Sequence, residues 1–247
     1  VNNGGIYLKN LNTVAKNDQV YKSTPQILLM STAEYNLSYP MIKTNETYKN
    51  EFNPKFSLRV NPSEMKNYST EDRYINSSNV FEIDRLGLLD TFETGETLTI
   101  GFDYKKESLE NINKYFEFNL ATVFRDKEEY DIPLTTSLNK KQSNYFGTIN
   151  GNFNNYFNLN YDFSINNQLD KLEYSSVNLM LKKNNFYTKI NYLEKNGHIG
   201  EENVLENSFG YNFDDKNFIE FNTRRNRELN LTEFYNLMYE YKNDCLT

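Results

Sequence analysis

The amino-acid sequence predicts an all-β fold, an antiparallel sheet of about a dozen strands with the proportions of a transmembrane β-barrel. Three observations carry this expectation. First, apolar and polar residues alternate with period two along most of the chain. Phe157, Leu159, Tyr161, Phe163 and Ile165 are interleaved with Asn158, Asn160, Asp162 and Ser164, so one set faces one side of a sheet and the other set the opposite side. Second, the alternating windows run to about ten residues, enough at ~3.3 Å per residue and a ~45° tilt to cross the ~25 Å apolar band of an outer membrane. Strands of soluble sandwiches are nearer ~5–6 residues. Third, short turns alternate with longer links, as the two rims of such a barrel require.

Taken in order, the windows predict strands at 26–39, 54–60, 81–90, 97–104, 115–125, 144–152, 156–165, 172–182, 186–193, 204–213, 217–225 and 232–242. Leu98, Ile100, Phe102 and Tyr104 alternate with Thr97, Thr99, Gly101 and Asp103. Phe116, Phe118, Leu120 and Phe124 oppose Glu117, Asn119 and Arg125. Phe209, Tyr211 and Phe213 oppose Ser208, Gly210 and Asn212, and Tyr235, Leu237, Tyr239 and Tyr241 oppose Asn236, Glu240 and Lys242. The turns at Asn154–Asn155, Lys183–Asn185 and Asp214–Lys216 are short and rich in residues that tolerate positive φ. Longer links lie at 166–171, 194–203 and 226–231. The links at 61–80 and 105–113 break the parity and read as inserted or inward-folded loops. On pattern alone the barrel is favoured over a soluble sandwich, because the polar set is Asn, Ser, Thr and Gly with scattered charges, not the Lys and Glu of a face in bulk water.

Composition narrows the function classes. Aromatics make up 15% of the chain, with 20 Tyr and 18 Phe, which argues against disorder although overall hydrophobic content is only 38%. A net charge of −7 argues against nucleic acid as a partner. Arg224, Arg225 and Arg227 form the one dense basic cluster and read as a charged strand end in preference to a binding patch. No run of ~18 apolar residues forms a membrane helix, which leaves membrane strands open. With Val1 in first position, the chain reads as a piece of something longer.

Catalytic candidates are few. His198, the one histidine, sits in a turn-like loop with no second ligand nearby, so neither a metal site nor a Ser–His–Asp triad is expected. The adjacent pairs Glu71–Asp72 and Glu128–Glu129 read as loop charge. The expectation is no catalytic residue, no cofactor and no metal, with a barrel enzyme kept as an alternative. Cys245, the one cysteine, is either an incidental thiol or half of a disulfide to a segment outside the chain.

One set of segments carries more than pattern. Asn67-Tyr68-Ser69-Thr70-Glu71-Asp72 is followed by Asn79-Val80-Phe81-Glu82-Ile83-Asp84-Arg85-Leu86. Then come Asp90-Thr91-Phe92-Glu93-Thr94-Gly95 and Leu98-Thr99-Ile100-Gly101-Phe102-Asp103-Tyr104. This order resembles the C-terminal barrel domain of the lipopolysaccharide-assembly family LptD, also called OstA or organic solvent tolerance protein. Thr24-Pro25 through Asn53-Pro54 upstream, and Phe209-Gly210-Tyr211 through Asp244-Cys245 downstream, extend the likeness over nearly the whole chain. Thr91 departs from the Arg common in the family, and the family's C-terminal cysteine pair is here the single Cys245.

The resemblance implies a single domain, residues 1–247, forming the C-terminal part of a larger barrel in the outer membrane of a Gram-negative cell. Its implied function is transport and insertion of lipopolysaccharide into the outer leaflet, without catalysis. Implied partners are lipopolysaccharide, outer-membrane lipid, an LptE-like plug lipoprotein, and an LptA-like periplasmic bridge reached through an N-terminal domain outside this chain. Glu71, Asp72, Asp90, Glu93 and Gly95 are the family-motif residues. The strand 232–242, with Tyr235, Leu237, Tyr239 and Tyr241, would border a lateral seam, and Cys245 would bond to the N-terminal region. Asn158, Asn160, Asp162 and Ser164 would face the lumen. Alternatives are a self-contained porin or barrel enzyme, which would pair 26–39 directly with 232–242, and a secreted β-sandwich or adhesin.

Overall fold

A computed structural model describes residues 1–13, 16–17, 20–21 and 26–242. The strands are β1 (Asn2–Thr13), β2 (Lys16–Asn17), β3 (Val20–Tyr21), β4 (Gln26–Ser38), β5 (Met41–Thr44), β6 (Tyr48–Asn61), β7 (Gly95–Ser108), β8 (Lys114–Arg125), β9 (Tyr145–Phe153), β10 (Phe157–Ile165), β11 (Leu172–Lys183), β12 (Phe186–Lys195), β13 (Glu202–Asn212), β14 (Asn217–Asn226) and β15 (Leu231–Tyr241). Apart from the β2–β3 hairpin they form one sheet in the order β1-β4-β6-β7-β8-β9-β10-β11-β12-β13-β14-β15, with β5 paired to β6. Consecutive neighbours on this path follow an up-and-down meander, the arrangement that antiparallel strands joined by tight links adopt.

The sheet is not closed among the described residues: β4 pairs with β1 and β6, and β15 has β14 as its one neighbour. The direct pairing of 26–39 with 232–242 expected of a self-contained barrel is therefore absent from the described ladders.

Two strand expectations are corrected. The segment 81–90 is not a strand but a series of turns. Its alternation comes from Val80, Leu86 and Leu88 packing into a loop core, and Arg85 takes the Val80 carbonyl that a neighbouring strand would need. The expected 54–60 is the far end of the 14-residue β6, which continues through Pro54. On that side of β6 the β4 ladder stops at Ser38↔Lys55 and the β5 ladder at Met41↔Phe52, so Pro54 falls between the two ladders. The strand β1 went unread because Asn and Gly break its alternation.

With 81–90 removed from the strands, link lengths alternate long and short from 62–94 to 196–201, and the last two links, 213–216 and 227–230, are four residues each. Long segments at 62–94 and 126–144 flank the short link 109–113. After them the links are 154–156, 166–171, 184–185, 196–201, 213–216 and 227–230. The expected parity violation at 105–113 was thus a consequence of the strand that does not form.

The chain divides into two compact units. The first comprises Val1–Tyr39, Pro54–Gly101 and Ala121–Asn144. Its buried apolar side chains come largely from the two long links: Ile75, Val80, Leu86, Leu88, Ile132 and Leu138 are all nearly inaccessible. These links cover the polar face of the strands. Arg59 is 3% exposed while its neighbour Leu58 is 53% exposed. A water-soluble sandwich does the reverse, burying its apolar face as the core.

The second unit comprises Pro40–Asn53, Phe102–Leu120 and Tyr145–Thr247. Phe146 and Val204 are its buried apolar residues among those described. Many of its other large apolar side chains lie on one exposed or half-exposed face, while Met180, Phe218, Phe234 and Met238 share the face of Asn158, Glu220 and Arg224. The register carries Phe157 to Leu181, Leu181 to Thr188, Thr188 to Phe209, Phe209 to Phe221 and Phe221 to Leu237. Directly paired residues share a face, so Phe157, Phe209, Phe221 and Leu237 all project to one side. Gly147 belongs to that face as well: a Cβ there would sit 2.1 Å from the Phe163 ring, which lies flat across the backbone.

Candidate functional site

The densest polar constellation lies in the first unit, where the 62–94 link folds onto β6, β7 and β8. Its centre is Glu93, whose side chain is 3% exposed. One carboxylate oxygen, Oε2, accepts from Arg59 Nη1 at 2.9 Å and Arg85 Nε at 2.6 Å. The other, Oε1, accepts from Arg85 Nη2 at 2.6 Å and from Arg125 Nη2. Arg85 thus grips the carboxylate with two parallel bonds, the geometry for which a guanidinium is suited.

Each arginine also ties down backbone. Arg59 Nη2 donates to the Glu82 carbonyl at 2.5 Å, and Arg85 Nη1 to the Val80 carbonyl at 3.3 Å as well as to the Thr99 hydroxyl of β7 at 3.1 Å. Arg125 donates through Nε to the Leu138 carbonyl at 2.9 Å and through Nη1 to the Thr94 carbonyl at 2.6 Å. The centre therefore binds three strands to both long links. Burial alone would raise the Glu93 pKa, but the charges of Arg85 and Arg59, the Arg85 hydrogen bonds and the Arg125 charge overcome it and hold the carboxyl at about 2.

The other motif residues divide. Gly95 belongs to the centre: its φ is +87°, and a Cβ would meet Arg125 Nη1 at 2.9 Å. Asp90 lies nearby in the same link, accepting from Lys66 Nζ at 2.5 Å and from the Tyr68 hydroxyl. Partial burial opposes ionisation of Asp90, yet those two hydrogen bonds hold its pKa below the ordinary carboxylate value. Burial, then the bond to Asp90, pushes Tyr68 up to about 12. Glu71 pairs with Arg73 at 3.0 Å on the surface, and Asp72 is exposed. The structure does not bring these two to Glu93.

Asn158, Asn160, Asp162 and Ser164 share the face of β10 opposite Phe157 and Leu159, and Asn160 and Asp162 form cross-strand polar rungs. Thr148 Oγ1 donates to Asp162 Oδ1 at 2.6 Å and Asn160 Nδ2 to Asn150 Oδ1 at 2.7 Å. Farther along, Arg224 joins Glu206 at 2.5 Å and Glu233 at 2.6 Å. Tyr235, Leu237, Tyr239 and Tyr241 are exposed on the terminal strand β15. Cys245 lies outside the described residues. His198 sits in a single 3₁₀ turn, and among the described residues no group of three or more His, Cys, Asp or Glu could hold a metal.

The three arginines of the centre were not singled out from sequence. Arg59 and Arg125 occupy polar-face positions of alternating strands. The available signal was that both are buried-strand cations in a chain with a motif carboxylate at the mouth of β7.

Long alternating antiparallel strands, an exposed aromatic face and a polar face whose buried Arg59 and Arg125 meet the Glu93 of a covering link define a class: a β-sheet wall of outer-membrane type. The chain belongs to the LptD family, described as LPS transport system D, which it matches over residues 6–226. That family works in lipopolysaccharide transport at the outer membrane. No curated protein matches the chain.

Proposed function

We propose that this chain forms one domain, the C-terminal part of the wall of a larger outer-membrane barrel through which lipopolysaccharide reaches the outer leaflet of a Gram-negative cell. Family membership supports the transport role. The single observation that carries the placement is the inside-out burial: charge lies under cover while Phe, Leu and Tyr remain uncovered. On this reading Phe157, Leu159, Tyr161 and Phe163 meet lipid. Asn158, Asn160, Asp162 and Ser164 line a hydrated lumen that an LptE-like lipoprotein would occupy. Short links face the periplasm and long ones the exterior.

The motif residues Glu93 and Gly95 fix the 62–94 link against the wall, with Asp90 bracing it, and none performs covalent chemistry. The terminal strand β15, with Tyr235, Leu237, Tyr239 and Tyr241, forms one lip of a lateral seam. An open backbone edge is otherwise a liability, and a seam gives it a use. Cys245 bonds to an N-terminal periplasmic domain that receives substrate from an LptA-like bridge. Photo-crosslinkers placed along 231–241 of the full-length protein should capture lipopolysaccharide in transit. Equal capture by strands β10 to β12 would sink the seam.

A further inference from the structure

Two lysines of the second unit stand where the pattern has no place for charge. Lys106 follows Phe102 and Tyr104 on the apolar side of β7, and Lys114 precedes Phe116 and Phe118 on that of β8. Both ammonium groups converge on one ring: Lys106 Nζ lies 4.5 Å, and Lys114 Nζ 5.6 Å, from the centroid of Tyr48. Together with Tyr104, Phe116 and Phe153 they line a crevice of about 380 Å³. Neither lysine has a carboxylate partner among the described residues. The contrast with the polar face is sharp. There Lys105 is shared by Glu117 at 3.1 Å and Glu107 at 3.3 Å, and Lys49 by Glu51 and Glu107, both at 3.4 Å.

Two uncompensated cations held together above an aromatic floor create a local demand for an anion. They border the short link 109–113, so they stand at the edge of the wall, where a charge on the lipid side costs little. The aromatic lining suits the glycerol and upper acyl carbons beneath a headgroup.

We propose that this crevice is a binding site for an anionic glycerophospholipid, its phosphodiester bridging Lys106 and Lys114. The proposal rests on the membrane reading above, and specifically on short links facing the periplasm. Lipopolysaccharide, delivered to the outer leaflet, would meet the opposite rim.

The test is native mass spectrometry of the full-length protein released from bilayers of phosphatidylglycerol and phosphatidylcholine in equal parts. Wild-type protein should retain phosphatidylglycerol selectively. Lys106→Gln with Lys114→Gln should lower that retention about thirtyfold, roughly fivefold per lysine. Lys106→Arg with Lys114→Arg should keep it, and so should Lys183→Gln, which removes a lysine at the turn between β11 and β12. Equal retention by the double Gln variant, or equal loss in Lys183→Gln, would overturn the site and leave the membrane reading standing. Failure of wild-type protein to enter the bilayer would overturn both. Retention of lipid A phosphate in place of phosphatidylglycerol when lipopolysaccharide is added would also overturn it.

Discussion

Replacing Glu93 by Gln keeps the volume of the side chain and removes its charge. Arg59, Arg85 and Arg125 would remain buried, with Glu34, 3.9 Å from Arg59 Nη2, the carboxylate left nearby. Removing one member of a buried ion group costs ~3–5 kcal/mol, because the remaining charges cannot return to water. A second route gives a similar figure. Holding the Glu93 carboxyl at about 2 instead of 4.5 is worth about 3 kcal/mol of differential interaction. The loss falls on the attachment of the two long links, not on the ladders. Hydrogen exchange of full-length protein folded in detergent is the assay, read at the amides of Val80, Gly87 and Arg125. These donate to Asn76, Asp84 and Lys141 carbonyls at 3.1, 2.9 and 2.8 Å. Opening by ~3 kcal/mol accelerates exchange there on the order of 100-fold, while β11 to β14 amides stay unchanged. Unchanged exchange at all three amides would refute the claim that Glu93 fixes the links.

Four further outcomes follow from the same geometry. Because the folded Glu93 carboxyl is depressed, its contribution is complete above pH 4.5 and is lost as pH falls toward about 2; exchange at Val80 and Gly87 should accelerate in that window in wild type and not in Glu93→Gln. Gly95→Ala should destabilise the same links by ~1–3 kcal/mol, from the positive φ and the contact with Arg125, as measured by that exchange. Lys9→Ala should loosen residues 84–91, since Lys9 Nζ binds Asp84 Oδ2 at 2.6 Å and the Leu88 and Thr91 carbonyls; protease sensitivity at Gly87 would report it. Leu159→Arg should destabilise the bilayer-embedded protein by ~2–4 kcal/mol in urea unfolding, and Asn160→Arg should have little effect.

Strands β7 to β15 were legible in the sequence because each has one face of regular apolar spacing and a bounding turn. Turn chemistry told equally: Asn154, Asn184 and Asn230 take positive φ at the ends of their links. Legibility failed where a link has its own core. Val80, Leu86 and Leu88 mimic a strand because a loop that must bury apolar groups against a wall also alternates. In β1 the signal was too thin, with Asn2, Asn3, Gly4 and Gly5 at its start.

The candidate site was half legible. The motif supplied Glu93, Gly95 and Asp90, but periodicity places Arg59 and Arg125 only on a face and cannot say that a distant link will cover it. Glu71 and Asp72 resembled the same motif, and the structure leaves them at the surface, Glu71 paired with Arg73.

On the membrane reading, one face of this sheet meets lipid and the other water. The most direct test of that reading is a nitroxide scan of residues 157–165 in full-length protein in bilayers, comparing collisions with oxygen and with a water-soluble nickel chelate. Labels at 157, 159, 161 and 163 should respond to oxygen, and labels at 158, 160 and 162 to the chelate, in strict alternation. A response uniform along β10, or one with the two sets exchanged, would contradict the account.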